Sequence, residues 1–306
     1  MNAAAAAVNR FKTLRYEVNE ESSAAIITLA RPGRNNAFTT QMCLEVLDAL
    51  DLAEANDVVR SIIVTGEGKH FCAGADLEEG FVVDDEAQDD VGAEYLARAG
   101  RVDGIPRDGG GVVALRLAQS TRPVIAAVNG AAVGVGATMT LPMDIRIVGE
   151  SARFGFVFAR RGLVPEAASS WFLPRVVGIS RAMEWVATGR LVGAEEAMDS
   201  GLATHRVPDA DLLDTALELA REIAENTAPV AVAMARHMMW GMLGAASPWE
   251  AHRLDSQAIH HLVGGPDVAE GVASFLAKRA PRFPLSATSD FPDFIPRWAD
   301  RPDGIR

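Results

Sequence analysis

Two glycine-containing segments, each preceded by an apolar run, are the parts of this sequence best suited to chemistry. FCAGADL at 71–77 follows SIIVT at 61–65, and NGAAVGVGATMTLPMDIRI at 129–147 follows PVIAAV at 123–128. Such short apolar runs are typical of buried strands in a parallel sheet. Small residues let backbone N–H groups approach a ligand, so two such turns predict an oxyanion hole for a carbonyl that gains negative charge. Taken singly, either segment is explained as well by tight packing.

The order and spacing of five motifs resemble the crotonase superfamily of enoyl-CoA hydratases and isomerases. The motifs are RPGRNNAF at 31–38, GKHFCAGADL at 68–77, AAVNGAAVGVGATMTLPMDIRI at 126–147, ARFGFVFARRGLVPE at 152–166, and EGVASFLAKRAPRF at 270–283. The resemblance extends from about residue 11 to residue 284, which is nearly the whole chain. It implies an enzyme that processes acyl-CoA thioesters on a core built as a spiral of ββα repeats.

The resemblance assigns the two amides of the oxyanion hole to Ala75 and Val135. In the first motif, the donor of the family lies between the glycine and the aspartate of FCAGADL. In the second, it is the middle residue of three glycines, and this run reads Gly-Val-Gly here. A backbone donor tolerates a side chain that points away. With both segments in family order, the catalytic interpretation is favoured over tight packing.

The two glutamates that hydratases of this family use are replaced in this sequence. The glutamate that follows the glycine run corresponds to Thr138, and the one that follows Phe-Gly corresponds to Phe158. Hydration requires one group to activate water and another to protonate carbon, so ordinary two-glutamate hydration is not expected. Glu166, in GLVPE, occupies the position at which crotonase-like isomerases keep a single acid/base.

The resemblance implies that Glu166 takes a proton from C2 of an acyl chain and returns it at C4, while the oxyanion hole stabilises the dienolate. Four apolar residues are expected to raise its pKa by desolvation: Phe156, Phe158, Leu163 and Trp171. The residues alone leave a structural role open. Glu166 follows a proline and precedes an apolar segment, and acidic residues stabilise helix N-termini.

Segment 80–121 is a polar, acidic, glycine-containing insert in the periodic pattern. We expect a mobile lid or active-site loop there, with a disordered surface insert as the alternative. Its aspartates could supply a second acid, although their clustering favours a solvated face; they are Asp84, Asp85, Asp89, Asp90, Asp103 and Asp108. Asp76 and Asp144 lie beside strand ends, where turn and capping roles are the commoner ones.

The resemblance also indicates where coenzyme A would bind. The candidates for its phosphates are Arg31, Lys69, Lys278 and Arg279. The last two would act across a subunit boundary, and each of the four could equally be a solvated surface charge. A lysine that the family often has after the first motif is replaced by Glu78 or Glu79, which removes one expected contact.

Backbone groups around Cys72 and Ala73 would hold the adenine of coenzyme A. The acyl pocket is expected to involve Thr138, Phe158 and Trp171. The six histidines have no metal-ligand spacing, and we expect no metal and no cofactor apart from the coenzyme A of the substrate.

The elements that must position these residues alternate between strand and helix in the first part of the chain. Segments 11–18 and 24–29 are predicted strands, and 40–55 carries a helical apolar stripe. With the strands at 61–65, 124–128 and 145–148, this pattern predicts an α/β core with mostly parallel pairing. From residue 211 onward the pattern is helical, with a helix start at Pro229 and further helices at 249–263 and 268–278.

The resemblance implies that this C-terminal region builds trimers or hexamers. The predicted organisation is therefore a crotonase-like α/β spiral core over 1–210, which includes the insert at 80–121, and a helical trimerisation region with a tail over 211–306.

Composition limits the possible partners. The chain has 306 residues, 49% of them hydrophobic, and a formal net charge of −12. Such an acidic chain argues against a nucleic-acid or anionic-membrane surface, and any site for a CoA thioester must be locally basic.

The two cysteines predict reduced thiols in a cytoplasmic enzyme. The N-terminus lacks a cationic signal region, and no apolar run is long enough to span a bilayer.

The leading functional prediction is a crotonase-superfamily isomerase that shifts a 3-enoyl-CoA double bond to the 2-position, with Glu166 as acid/base. One alternative is an enoyl-CoA hydratase that uses Glu166 and an unidentified second group. The other belongs to a different class: a non-catalytic acyl-CoA-binding protein.

Overall fold

The structure is a computed structural model that describes residues 11–78 and 89–297. Glu79, Asp84, Asp85 and the first part of the predicted insert lie outside the described residues. Within the described ranges, the model contains no helix that is both long enough and apolar enough to cross a bilayer.

A six-stranded sheet forms the centre of the molecule. Its strands are β1 (Leu14–Asn19), β2 (Ala24–Leu29), β3 (Ser61–Gly66), β6 (Val124–Val128), β8 (Ile145–Gly149) and β11 (His205–Val207), in that spatial order. The first pair is antiparallel and every later pair is parallel. The predicted α/β core with mostly parallel pairing is confirmed.

A second, three-stranded sheet continues from the turns of the first. It has the order β10 (Leu191–Gly193), β9 (Arg153–Gly155), β7 (Ala131–Val133), and β7 pairs parallel to β9. An isolated bridge between Cys72 and Ala132 connects the turn after β3 to this sheet. The strand β7 therefore lies beside the first glycine-containing segment and fixes its path.

Eleven α-helices surround these sheets within the described residues. They are α1 (Thr40–Glu54), α2 (Asp90–Ala99), α3 (Gly109–Ala118), α4 (Val135–Thr138), α5 (Ser169–Val177), α6 (Ile179–Thr188), α7 (Ala194–Asp199), α8 (Leu212–Asn226), α9 (Pro229–Met242), α10 (Pro248–Leu262) and α11 (Pro266–Ala277). The predicted helix starts near 40 and at Pro229 are confirmed. A short antiparallel hairpin, β4 (Arg101–Val102) with β5 (Ile105–Pro106), follows α2.

The central sheet is covered on both faces, as its continuous apolar strands require. In β2, Ala25, Ile27 and Leu29 pack with α1 and α3 on one face, whereas Ala24 and Ile26 pack with α8 on the other. The alternation follows the period-two geometry of a strand. It fixes the sheet rigidly enough to position the turns at its carboxyl edge.

Residues 89–121 are largely regular. The helix α2 packs on α1 and is tied to it by Arg98, whose Nη1 lies 2.8 Å from Asp48 Oδ1. The helix α3 is part of the core, where Val113 and Leu117 are fully buried. Its three initial glycines are therefore the start of a core helix. A lid role for the insert, and the division of the chain at residue 210, stay predictions.

Arg236 of α9 connects the helical C-terminal region to the core. Its guanidinium lies 2.8 Å from Asp144 Oδ2 and donates to the carbonyls of Leu117, Ala118 and Ser120 at the end of α3. Asp144 also accepts from Trp240 Nε1. The carboxylate is thus a structural residue, in agreement with the turn and capping role predicted for it.

Replacement of Arg236 by alanine should destabilise the protein by about 3–5 kcal/mol, because it leaves a partly buried carboxylate without its cation and several buried carbonyls without their donor. Urea unfolding of wild type and Arg236→Ala measures this difference. Arg253→Ala on α10 is the matched control, since that arginine is exposed and donates to Gln257 Oε1 at 3.4 Å. A change below about 0.5 kcal/mol is expected for the control; equal effects would contradict the structural role of Arg236.

Candidate active site

The two glycine-containing turns lie side by side. The Cys72 amide donates to the Ala131 carbonyl at 3.0 Å, and the Val133 amide donates to the Cys72 carbonyl at 2.9 Å. Gly74 and Gly134 both have positive φ, at 106° and 55°, and a Cβ on Gly134 would lie only 3.7 Å from the Gly74 Cα. The two turns are therefore in direct backbone contact.

Ala75 and Val135 present the amides that the sequence predicts as donors. Around Ala75, the Phe38 amide donates to the Gly74 carbonyl and the Asp76 amide donates to the Phe38 carbonyl, both at 2.8 Å. Within the described residues, the Ala75 amide itself has no acceptor. Val135 is the first residue of the one-turn helix α4, where an amide has no intrahelical partner. Both amides are therefore available to a ligand.

Glu166 lies on the segment between a 3-10 helix, Phe158–Arg161, and α5. Its Oε1 accepts a hydrogen bond of 2.5 Å from the Thr138 hydroxyl. Thr138 is the last residue of α4, the helix that starts at Val135. Its hydroxyl therefore holds the Glu166 carboxyl group close to the second glycine-containing turn.

The start of α3 forms the other wall around Glu166. A Cβ placed on Gly110 would lie 1.8 Å from Glu166 Oε2 and 3.0 Å from Val135 Cγ2. Only a residue without a side chain leaves the carboxyl group this position. Contact with the site thus explains Gly110, the middle residue of the glycine run at 109–111. The sequence alone did not indicate this role.

Asp108 is the second carboxyl group at the site. It caps α3 by accepting a hydrogen bond of 2.5 Å from the Gly111 amide, and the same Oδ1 accepts one of 3.2 Å from the Ala167 amide. Its proximity contributes to the raised pKa of Glu166. Sequence reasoning placed Asp108 in a solvated acidic face. Its position before a glycine-rich helix start was the signal that would have set it apart from the other aspartates of the insert.

Burial raises the pKa of Glu166 to about 8. The hydrogen bond from Thr138 lowers this pKa, and the negative charge of Asp108 raises it. The direction of the shift agrees with the predicted desolvation, and the part played by the four predicted apolar residues stays a prediction. Leu163 is 41% exposed, and Phe156 stacks on Trp185 at 5.8 Å between ring centroids.

Of the four residues predicted to contact the CoA phosphates, the two arginines form ion pairs within the chain and the two lysines are exposed. Arg31 donates to Asp76 Oδ2 at 3.0 Å and to the Ala37 carbonyl, and Arg279 makes a two-point pair with Glu270 at 2.6 and 2.8 Å. Lys69 and Lys278 are exposed. The lysines therefore remain the better candidates for an added anion.

The remaining predicted binding residues divide into backbone and pocket groups. The Cys72 side chain is buried and Ala73 is exposed, but the Ala73 amide already donates to the Asn35 carbonyl at 3.1 Å. Phe158 is buried, and Trp171 packs edge-on against its neighbour Phe172 with the Arg175 guanidinium above it. Contacts of these residues with adenine or an acyl chain stay predictions.

Comparison with known proteins agrees with this geometry. The sequence model described as enoyl-CoA hydratase/isomerase matches residues 19–285. The enoyl-CoA hydratase ACTT3 of Alternaria alternata is 42% identical over 276 residues, which cover 90% of this chain and 88% of that protein. The 1,2-epoxyphenylacetyl-CoA isomerase of Escherichia coli K12 is 36% identical, over 86% of this chain and 95% of its own.

A solved structure gives the same result for the fold. The crystal structure of a probable enoyl-CoA hydratase/isomerase from Mycobacterium abscessus superposes with a TM-score of 0.77 at 31% sequence identity. The match covers 88% of this chain and 98% of the other.

The contact between Gly110 and Glu166 predicts a specific loss of activity. In Gly110→Ala, the methyl group must displace the Glu166 carboxyl group, and we expect turnover of an acyl-CoA substrate to fall by about 100-fold or more. The fold should be retained, because the displaced atom is the end of a flexible side chain. Steady-state kinetics and thermal unfolding measure the two effects separately.

Gly109→Ala is the matched control one residue earlier on the same helix. Its Cβ would make ordinary contacts, the nearest at 3.4 Å with Phe38, and alanine favours a helix over glycine. We expect near wild-type activity in this variant. Equal losses in both variants would show that a general disturbance of α3 is responsible.

Proposed function

Because the chain belongs to the enoyl-CoA hydratase/isomerase family, we propose that it shifts the double bond of a 3-enoyl-CoA to the 2-position, with Glu166 as its acid/base. Membership in the family makes the chain an acyl-CoA enzyme. The observation that carries the finer proposal is the placement of Glu166, whose buried carboxyl group lies between Thr138 and Gly110 and close to Val135.

The proposed reaction uses the two amides first. When Ala75 and Val135 donate to the thioester oxygen, the negative charge of an enolate is stabilised, which makes the protons on C2 more acidic. The Glu166 carboxylate then removes one C2 proton, and the electron pair of that C–H bond enters the dienolate. The protonated Glu166 returns a proton to C4, and the double bond between C2 and C3 forms. No water is consumed, and one carboxyl group is sufficient.

A second candidate, hydration of a 2-enoyl-CoA, is supported by a specific feature of the site. Hydration requires two proton-transferring groups, and Asp108 provides a second carboxyl group beside Glu166. Several relatives, ACTT3 among them, are named hydratases. We favour isomerisation because two backbone amides engage Asp108 Oδ1, a capping contact that already accounts for this carboxyl group.

The substrate would supply coenzyme A itself, and we propose no separate cofactor. Lys69 and, from a neighbouring subunit, Lys278 are proposed to contact the phosphates.

An assembly of three or six subunits is supported by large apolar side chains on α10 and α11 that are exposed in the single chain. Trp249, Phe275 and Leu276 are 76%, 82% and 75% exposed, and such residues commonly mark protein interfaces.

Glu166→Gln tests the proposal. With a 3-enoyl-CoA substrate, formation of the conjugated thioester should fall by about 10²- to 10⁴-fold, the usual contribution of a general acid/base. Water addition to a 2-enoyl-CoA is followed separately in the same two proteins. Full isomerase activity in the variant would overturn the role of Glu166, and hydration without isomerisation in wild type would replace the reaction with the second candidate. CoA-ester binding without turnover of either substrate would support the non-catalytic alternative.

The pH dependence of catalysis should follow the raised pKa of Glu166. A base must be ionised, so kcat/KM for isomerisation should rise about tenfold per pH unit below the pKa and become constant above about pH 8. Initial rates from pH 5.5 to 9.5 measure this profile. A constant rate across this range, as a glutamate of ordinary pKa would give, or rates that fall with rising pH, would contradict Glu166 with a raised pKa as the base.

Protein stability gives a control that is independent of turnover. The pKa of Glu166 is higher in the folded chain, at about 8, than its ordinary value of 4.5. Its contribution to stability is therefore fully present below about pH 4.5 and is lost as the pH rises through about 8. Glu166→Gln lacks this ionisation, so the free energy of unfolding should decrease less between pH 6 and pH 9 in the variant than in wild type.

A further inference from the structure

We propose that Asp108 is a positioning residue of this site: its side chain adds a carboxyl group beside Glu166 and fixes the backbone turn that follows Glu166. The inference rests on the proposed function, in which Glu166 carries the proton. It assigns a role to a residue of the insert that the proposed mechanism does not otherwise use.

The backbone around Asp108 fixes the position of its side chain. Its Oδ1 accepts from the amides of Gly111 and Ala167 at 2.5 and 3.2 Å. Asp108 is also the N-cap of the ten-residue helix α3, where the helix dipole favours a negative charge. Two amides and a helix start therefore act on the same carboxyl group.

The surroundings of Glu166 favour its neutral form. Its carboxyl group receives one side-chain hydrogen bond, from Thr138. In the part of the chain that the structure describes, the titratable groups coupled to Glu166 are Asp108 and the buried thiol of Cys72, and neither is a cation. When two neighbouring carboxyl groups cannot both ionise, the less well solvated one keeps the proton.

The turn after Glu166 needs the support that Asp108 gives. Ala167 and Ala168 are consecutive alanines with φ of 57° and 51°, a left-handed conformation that residues with a side chain rarely adopt. Asp108 binds the Ala167 amide, while the Ser169 hydroxyl donates to the Glu166 carbonyl at 2.5 Å. These bonds hold the unusual turn from both sides, and the turn sets the direction of the Glu166 side chain.

The insert in turn holds Asp108 in place. The Tyr95 hydroxyl on α2 donates to the Arg107 carbonyl, and Arg107 Nη1 donates to the Ala99 carbonyl at 3.1 Å. These two bonds attach the residue before Asp108 to α2. Residues 89–107 therefore hold Asp108, the second carboxyl group of the site, in place.

A negative charge beside Glu166 has a chemical consequence. Removal of a proton from C2 of a thioester requires a base stronger than an ordinary carboxylate, since the carbon acid is weak. Once Glu166 ionises, the neighbouring Asp108 charge increases its affinity for a proton. Asp108 would therefore make Glu166 a stronger base without contacting the substrate.

Asp108→Asn separates the charge of Asp108 from its hydrogen bonds. The asparagine oxygen can still accept from both amides and cap α3, while the negative charge is removed. We expect the midpoint of the kcat/KM profile to move about one unit toward lower pH. Infrared titration of the protonated carboxyl band, assigned by its absence in Glu166→Gln, should show the same downward movement without any substrate.

Asp89→Asn is the matched control. Asp89 caps α2 in the same way, with its Oδ1 accepting from the Gly92 amide at 2.7 Å, and this contact is exposed. Neither the kinetic nor the infrared midpoint should move in this variant. Asp108→Ala, which removes the charge and both hydrogen bonds, should lower kcat further, and Asp108→Asn should recover part of that loss.

The outcomes distinguish this inference from the proposed function. An infrared midpoint in Asp108→Asn that equals the wild-type value, or equal movements in Asp89→Asn, would overturn the role of Asp108. A downward movement in Asp108→Asn alone supports it. If wild type does not isomerise 3-enoyl-CoA but the infrared midpoint still moves, the reaction assignment fails while the interaction of Asp108 with Glu166 stands. Should Asp108→Ala fail to fold, Asp108→Asn decides the question.

Discussion

The contact between the two glycine-containing turns is the constraint on which the site depends. A Cβ on Gly136 would lie 2.2 Å from the Cys72 carbonyl oxygen, and one on Gly130 would lie 1.9 Å from the Lys69 carbonyl oxygen. These distances exclude any larger residue without a shift of the backbone. The parallel pairing of β3 with β6 brings both turns to the same edge of the sheet. The close packing of the two turns is therefore compatible with the proposed oxyanion hole, because the same small residues serve both.

A largely enclosed carboxyl group, for which the described part of the chain supplies no cationic partner, limits the chemistry that this edge can support. Thr138 and Phe158 are the positions at which the resemblance led us to expect hydratase glutamates, and the Thr138 hydroxyl donates a hydrogen bond to Glu166. Thr138 thus has a structural effect on Glu166. It holds one oxygen of the remaining acid, whereas Gly110 leaves room for the other. A single carboxyl group held in this way suits a reaction that moves one proton between two carbons.

Much of the fold could be predicted from local pattern, because buried strands, helix stripes and helix-starting prolines are properties of neighbouring residues. The predicted strands at 61–65 and 123–128 are β3 and β6, and Pro229 begins α9. The role of Asp108 could not be predicted this way. It depends on a contact with Ala167, 59 residues later in the chain, and its local composition resembles a solvated acidic face. Similarly, Gly110 is explained only by a side chain that arrives from a distant segment.

The charge distribution indicates how an acidic chain could accept an anionic thioester. At a net charge of −12, long-range repulsion would slow the approach of coenzyme A, but salt screens it beyond about 8–10 Å. Binding then depends on short-range contacts. Arg31 and Arg279 are already paired with Asp76 and Glu270, and Glu78 near the first turn pairs with Arg34. Two of the four predicted phosphate contacts are therefore engaged within the chain, which favours Lys69 and, from a neighbouring subunit, Lys278.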